Sequence, residues 1–170
     1  MEAQHTLNSL EIDKLRGKIT DIRIAMMTTQ EANGDFHTRP MATNQMDPDG
    51  TMWFFTYDNS NKVAEIRQNN RVSLGFSDTA SEVYVSTSGR AEVVKDQAKI
   101  NDLWNDVLKT WFPNGKDDPG ISLLKVTIHA GEFWDQPGGK VGKLFAMAKG
   151  AITGSADQTN RNEKFGDEPK

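Results

Sequence analysis

The chain has 170 residues, 36% of them hydrophobic and 26% charged, with no cysteine and a formal net charge of −4 at pH 7. That length suits one domain with a real core, and the acidic balance argues against a nucleic-acid footprint and against attraction to anionic membranes. The missing cysteines exclude disulfides, thiolate chemistry and Cys-ligated zinc or iron–sulfur centres.

The N-terminal stretch MEAQHTLNSLEIDKLRGKI is polar, lacks the apolar core of a signal peptide and points to a cytoplasmic protein. Spacing predicts a short helix over residues 5–17, with Leu7, Leu10 and Leu15 as a partial apolar face. Ile19–Thr29 is predicted as a strand. Ile22, Ile24 and Met26 alternate there with Asp21, Arg23 and Ala25, so one face is buried. Glu31–Asp35 holds an Asn-Gly pair, a hairpin signal. Phe36–Met46 and Thr51–Tyr57 then read as two strands joined by the tight turn Asp47-Pro48-Asp49-Gly50. Asp58, Asn59, Ser60 and Asn61 offer side-chain oxygens to cap a helix near residues 61–69 that carries Val63 and Ile66.

Arg71–Ser77 is a further strand, and Asp78–Ser81 a turn. Glu82–Lys95 is a long strand interrupted by Gly89, which marks a bulge or bend of the kind a barrel needs to close. Asp96 caps a predicted helix whose Ile100, Leu103, Trp104, Val107, Leu108 and Trp111 share one face, ended by Pro113 and Asn114-Gly115. In the strand Ile121–Trp134, Leu124, Val126 and Ile128 face one way and Lys125, Thr127 and His129 the other. Pro137-Gly138-Gly139 breaks it, and Val141, Leu144, Phe145, Ala148 and Ile152 mark a last helix face. Residues 1–153 form the domain, and the polar tail 154–170 is expected to fray. About six strands with peripheral helices imply a mainly β (α+β) fold, a small antiparallel barrel, with an OB-like barrel as the structural alternative.

The chemistry concentrates between Arg39 and Lys62. If the two strands there pair, Arg39, Ser60 and Lys62 converge at one end, beside a helix start with its unpaired N–H groups. Arg, Lys, hydroxyl and helix start together suit a phosphate. The run Trp53-Phe54-Phe55 suits a flat ring, so the segment reads as a site for a cofactor with a phosphate tail and a planar head. A surface Arg, a surface Lys, an ordinary cap and an aromatic core explain the same residues. His5, His37 and His129 are far apart and show no metal-site spacing, so no metal is expected. His37 either faces solvent or lines a pocket beside Arg39. Gly139-Lys140-Val141-Gly142-Lys143 lacks P-loop spacing, and Ser86-Thr87-Ser88-Gly89 lacks the first glycine of a nucleophile elbow.

Five motifs run in a fixed order over roughly residues 15–140. They are R-x-M at Arg39–Met41, F-T-x-x-x-S-x-K at Phe55–Lys62, Asn70–Phe76, Gly89-Arg90-Ala91-Glu92 and Glu132-Phe133-Trp134. Together they resemble the pyridoxamine 5′-phosphate oxidase-like family of FMN-binding split barrels, its general stress protein branch in particular. The resemblance implies a six-stranded antiparallel split β-barrel, a homodimer, and FMN in the dimer cleft, with FAD as the alternative. It implies that Arg39 holds the flavin phosphate and ring, that Met41 lies against the ring beyond Pro40, and that Phe55 and Thr56 line the flavin chiefly through backbone groups. Ser60 and Lys62 match phosphate ligands, and Asn61 stands where the oxidase proper commonly has Arg. Trp134 matches a Trp that reaches the neighbouring subunit's flavin.

The departures count as well. The oxidase carries an Arg-x-His pair where this chain has Lys140 and Gly142, and a Lys where it has Asn44, so authentic pyridoxamine phosphate oxidase activity is not expected. The expected function is a flavin-dependent oxidoreductase exchanging a hydride with a reduced nicotinamide. The alternatives are a non-catalytic flavin carrier or sensor, and an OB-like binder of nucleic acid or peptide that the acidic charge opposes.

Overall fold

Asn8 launches the first element. In the computed structural model, which describes residues 7–135 and 161–166, the Asn8 side chain accepts from the Glu11 amide at 3.0 Å. The Glu11 carboxylate accepts from the Asn8 amide at 2.9 Å. This reciprocal cap fixes the start of α1, Ser9–Ile19. The helix therefore runs later than the predicted residues 5–17, and its buried stripe is Ile12, Leu15 and Ile19, while Leu10 is exposed. Asn8→Ala is expected to cost about 1 kcal/mol, read as a lower urea midpoint. An unchanged midpoint would mean that tertiary packing alone holds α1.

Seven strands follow: β1 (Ile24–Gln30), β2 (Phe36–Ala42), β3 (Thr51–Tyr57), β4 (Arg71–Asp78), β5 (Val83–Val94), β6 (Ile121–Asp135) and β7 (Arg161–Gly166). α2 (Asn61–Gln68) lies between β3 and β4, and α3 (Gln97–Leu103) follows β5. The sheet order is β2-β1-β4-β5-β6-β3, with β7 also on β6, and neighbours pair antiparallel. This is a mainly β, split-barrel architecture with peripheral helices.

The predicted β2–β3 hairpin is not formed. β2 gives its ladder to β1, from Ile24↔Ala42 to Gln30↔Phe36, and β3 gives its ladder to β6, from Thr51↔Thr127 to Tyr57↔Ile121. The two strands stand at opposite ends of the sheet order, and the seam between them is the split. The turn between them is as predicted: the Gly50 amide donates to the Asp47 carbonyl at 3.0 Å, with Gly50 at φ 83°. Across the seam the Asn44 side-chain amide donates to the Trp53 carbonyl at 3.1 Å.

Three further expectations change. In β1 the exposed set is Ile24 and Met26, while Ala25, Met27 and Thr29 are buried. The helix predicted through Trp111 ends at Leu103. Trp104 adopts extended backbone and sets its ring edge-on to Phe55, at 5.7 Å between centroids. The Asn105 side chain then accepts from the Val107 amide and starts a separate 3₁₀ turn, Asp106–Thr110, leaving Val107 and Trp111 exposed. In the tail expected to fray, β7 makes a seventh strand. Phe165 is buried and stacks on Phe133, at 6.3 Å between centroids, over Gly131, where a Cβ would have no room. Gly89 marks the predicted bulge in β5, and its Cβ position lies 2.8 Å from the Thr127 carbonyl.

The interior divides into two apolar clusters. The larger, including Met27, Phe54, Val63, Ile66, Leu74 and Val126, fills the barrel and receives α1 and α2. The smaller packs Phe55, Ile100, Leu108, Phe112, Ile121 and Leu123 beneath α3. Phe54 and Phe55 thus point to different clusters, as strand alternation requires. No helix among the described residues is long and apolar enough to cross a membrane.

Candidate functional site

The barrel end formed by β1, β2 and α2 carries the charged side chains that the sequence singled out. β2 alternates, so Arg39 and Met41 lie on one face and Pro40 on the other. Met41 is buried, Arg39 mostly so, and Pro40 exposed. Arg39 pairs in register with Met27, on the inward face of β1. Its Nη1 donates to the Thr29 hydroxyl, and its Nη2 lies 2.7 Å from Glu65 Oε2. Thr29 donates to the same carboxylate oxygen. Arg39 and Glu65 form a buried ion pair, with side chains 14% and 10% exposed.

Glu65 was not anticipated. It sits one residue before Ile66 on α2, and a Glu there reads as solvent-facing until the inward position of Thr29 is known. Burial by itself would raise its carboxyl. Hydrogen bonds from Thr29 and Arg39, with the Arg39 charge and His37, outweigh that and hold it below the usual carboxylate range. His37 Nδ1 stands 3.6 Å from Glu65 Oε1 and 3.6 Å from Glu31 Oε1.

Lys62, Ser60 and Thr56 meet at the start of α2. Lys62 Nζ donates to the Thr56 hydroxyl at 3.3 Å, and the Thr56 and Ser60 hydroxyls are 3.0 Å apart. Ser60 is the N-cap residue but makes no side-chain cap hydrogen bond, against expectation; its hydroxyl lies beside that of Thr56 instead. The first-turn amides of Asn61 and Lys62 are those a helix leaves without an internal acceptor. Burial pushes the Lys62 ammonium below its ordinary range, the Arg39 charge pushes it further, and Glu65 offsets part of this. Two cations therefore act on one another at the mouth of a helix dipole.

The remaining candidates lie elsewhere. Phe55 belongs to the α3 cluster, and Asn61 is exposed. Trp134 is half-buried on β6, opposite Tyr84, with β1, β4 and β5 between its strand and that of Arg39. Lys140, Gly142 and the predicted last helix lie outside the described residues.

The fold and these residues define an antiparallel split barrel with a partly neutralised cation pair at one end of its sheet. The family model described as pyridoxamine 5′-phosphate oxidase like matches residues 11–158, and the chain belongs to that family. Protein bli-3 of Neurospora crassa is 26% identical over 161 residues, covering 89% of this chain and 77% of that protein. A general stress FMN/FAD binding protein from Xanthomonas citri is 30% identical, with a TM-score of 0.62, covering 72% of this chain and 87% of that one. A structure from Jannaschia sp. CCS1, named for general stress protein 26, superposes with a TM-score of 0.78. It is 24% identical and covers 91% of this chain and 97% of that one.

Proposed function

We propose that this chain is a general-stress-type FMN-binding protein that works as a flavin-dependent oxidoreductase, as a homodimer with the flavin between subunits. The observation that carries the reading is the state of Lys62. Burial and the neighbouring Arg39 charge both disfavour its charged form, and Glu65 offsets only part of this. An anion beside Lys62 would offset its cost, and the helix start and the Ser60 hydroxyl would add donors for its oxygens. Lys62, Ser60 and Arg39 would hold the phosphate, and Thr56 would orient Lys62. Met41 lies on the Arg39 face of β2 within the larger apolar cluster and would meet the ring from that side. FMN, when bound, supplies hydride and one-electron chemistry that no side chain here offers. The name of the Xanthomonas citri protein supports a flavin of either kind.

The dimer rests on a second observation. The outward face of the sheet carries Ile24, Met26 and Tyr84, each more than 40% exposed, with half-buried Trp134 directly across from Tyr84. Gly75 and Ser86, aligned with Met26 across β4 and β5, keep that face flat. A second copy covering it by a two-fold axis would bury these side chains and bring Trp134 to the partner's site.

A non-catalytic flavin carrier is the second reading, favoured by Asn44. Its amide is committed to the Trp53 carbonyl rather than offered to a substrate. One series of measurements decides. Titration of apoprotein with FMN is expected to quench flavin fluorescence and raise the melting temperature. Light scattering is expected to give twice the 18.9 kDa chain mass. Bleaching of the bound flavin by reduced nicotinamide in a single-turnover assay supports the oxidoreductase, and its absence the carrier. Excess FMN that changes neither fluorescence nor melting temperature would overturn both.

A further inference from the structure

We propose that Glu31, His37 and Glu65 form a binding site for a divalent transition-metal ion of the zinc type, independent of any flavin. Among the described residues these three place one ligand atom each within 4.8 Å of one another. They come from three separate elements. Glu31 follows the last residue of β1, His37 is the second residue of β2, and Glu65 projects from α2. Their meeting follows from register: His37 lies directly opposite Thr29, and Glu31, two residues after Thr29, falls on the same face. The hairpin is held tight by the Glu31 amide on the Asp35 carbonyl at 2.8 Å and the Gly34 amide on the Glu31 carbonyl at 2.9 Å.

The distances favour an ion over a direct contact. His37 Nδ1 is 3.6 Å from an oxygen of each carboxylate, beyond the usual N–H···O range of about 2.7–3.2 Å. Metal–ligand bonds of about 2.0–2.2 Å place neighbouring ligand atoms about 3.4 Å apart along a tetrahedral edge. The two nitrogen–oxygen separations are close to that edge. Glu31 and His37 are 43% and 48% exposed, which leaves an approach from solvent and room for water to complete the coordination.

The supporting contacts suit the same role. Glu65 offers Oε1 toward His37, while its Oε2 accepts from Thr29 and Arg39, so the carboxylate is held by its other oxygen. An imidazole with two carboxylates is a nitrogen–oxygen donor set that suits zinc and related ions better than calcium or magnesium.

The test uses tag-free protein stripped with a chelator and titrated calorimetrically with Zn²⁺, with Mg²⁺ as control. One Zn²⁺ per chain is expected, with a rise in melting temperature. His37→Ala and Glu31→Gln are each expected to weaken binding about tenfold or more and to abolish the rise. Both side chains are half-exposed, and the melting temperature without zinc reports whether each variant folds. His37→Gln serves where the alanine variant does not fold. No saturable Zn²⁺ binding would overturn the site. Zn²⁺ bound equally well by folded variants would overturn it too, since the ion would then sit elsewhere. Each arm is read without flavin, so its failure is separate from failure of the FMN reading.

Discussion

Glu65→Ala is expected to destabilise the ligand-free protein by about 3–5 kcal/mol, because it leaves the Arg39 guanidinium buried without its counter-charge. The pair is deep, with both side chains below 15% exposed. Thr29 loses its acceptor in the same step. Replacing both partners, Arg39→Met with Glu65→Leu, is expected to recover much of the loss, since the cost lies in the orphaned charge rather than in the missing attraction. Urea denaturation of the unmodified chain, Glu65→Ala and the double variant reads this directly. A loss below about 1 kcal/mol, the range of an exposed pair, would show that Arg39 finds water instead. The pH dependence has a definite sign. The folded Glu65 carboxyl is held below its unfolded value. Its contribution is therefore full above the unfolded pKa of about 4.3 and is lost as pH falls through the lower folded value.

Lys62→Ala is expected to weaken FMN roughly tenfold to a hundredfold, since a hydrogen bond between charged groups contributes about 1.5–3 kcal/mol. Riboflavin, which has no phosphate, is expected to lose far less. Equal losses for the two ligands in fluorescence titrations would remove Lys62 from the phosphate site. The same side chain makes an opposite prediction for stability. Its folded pKa is depressed, so the penalty for carrying the charge is full below that value and disappears as pH rises toward the unfolded one. Lys62→Met is therefore expected to raise the melting temperature of the apoprotein while weakening FMN. The loss of one property with gain of the other is what a binding residue shows and a structural lysine does not.

Most strands were legible because their alternation was strong and turn residues bounded them: β3, β4, β5 and β6 stand within a residue or two of their expected limits. Partnership was less legible. Asp47-Pro48-Asp49-Gly50 does turn the chain, but a turn fixes direction and not ladder, and β2 and β3 found β1 and β6 instead. The inward face of β1 was ambiguous because both of its faces carry apolar residues, Ala25 and Met27 on one and Ile24 and Met26 on the other. The periodicity through Trp111 does not hold: the helix ends at Leu103, and Val107 and Trp111 are exposed rather than on a buried face. A side-chain cap at Asn105 and the packing of Trp104 on Phe55 outweigh propensity there. Arg39 was legible as a charged residue on a strand, and Ser60 and Lys62 as residue types at a strand-to-helix junction. Glu65 and the approach of Glu31 to His37 were not, since both depend on which face of β1 and α2 turns inward.

The open seam between β2 and β3 bears on self-association. A barrel left unclosed exposes two strand edges, each a template on which another chain can build a ladder. Here both edges are blunted. β2 carries Pro40, which has no N–H to offer a foreign strand, and the Trp53 carbonyl of β3 is already taken by the Asn44 side chain. Both features make the seam a poorer template for a foreign strand.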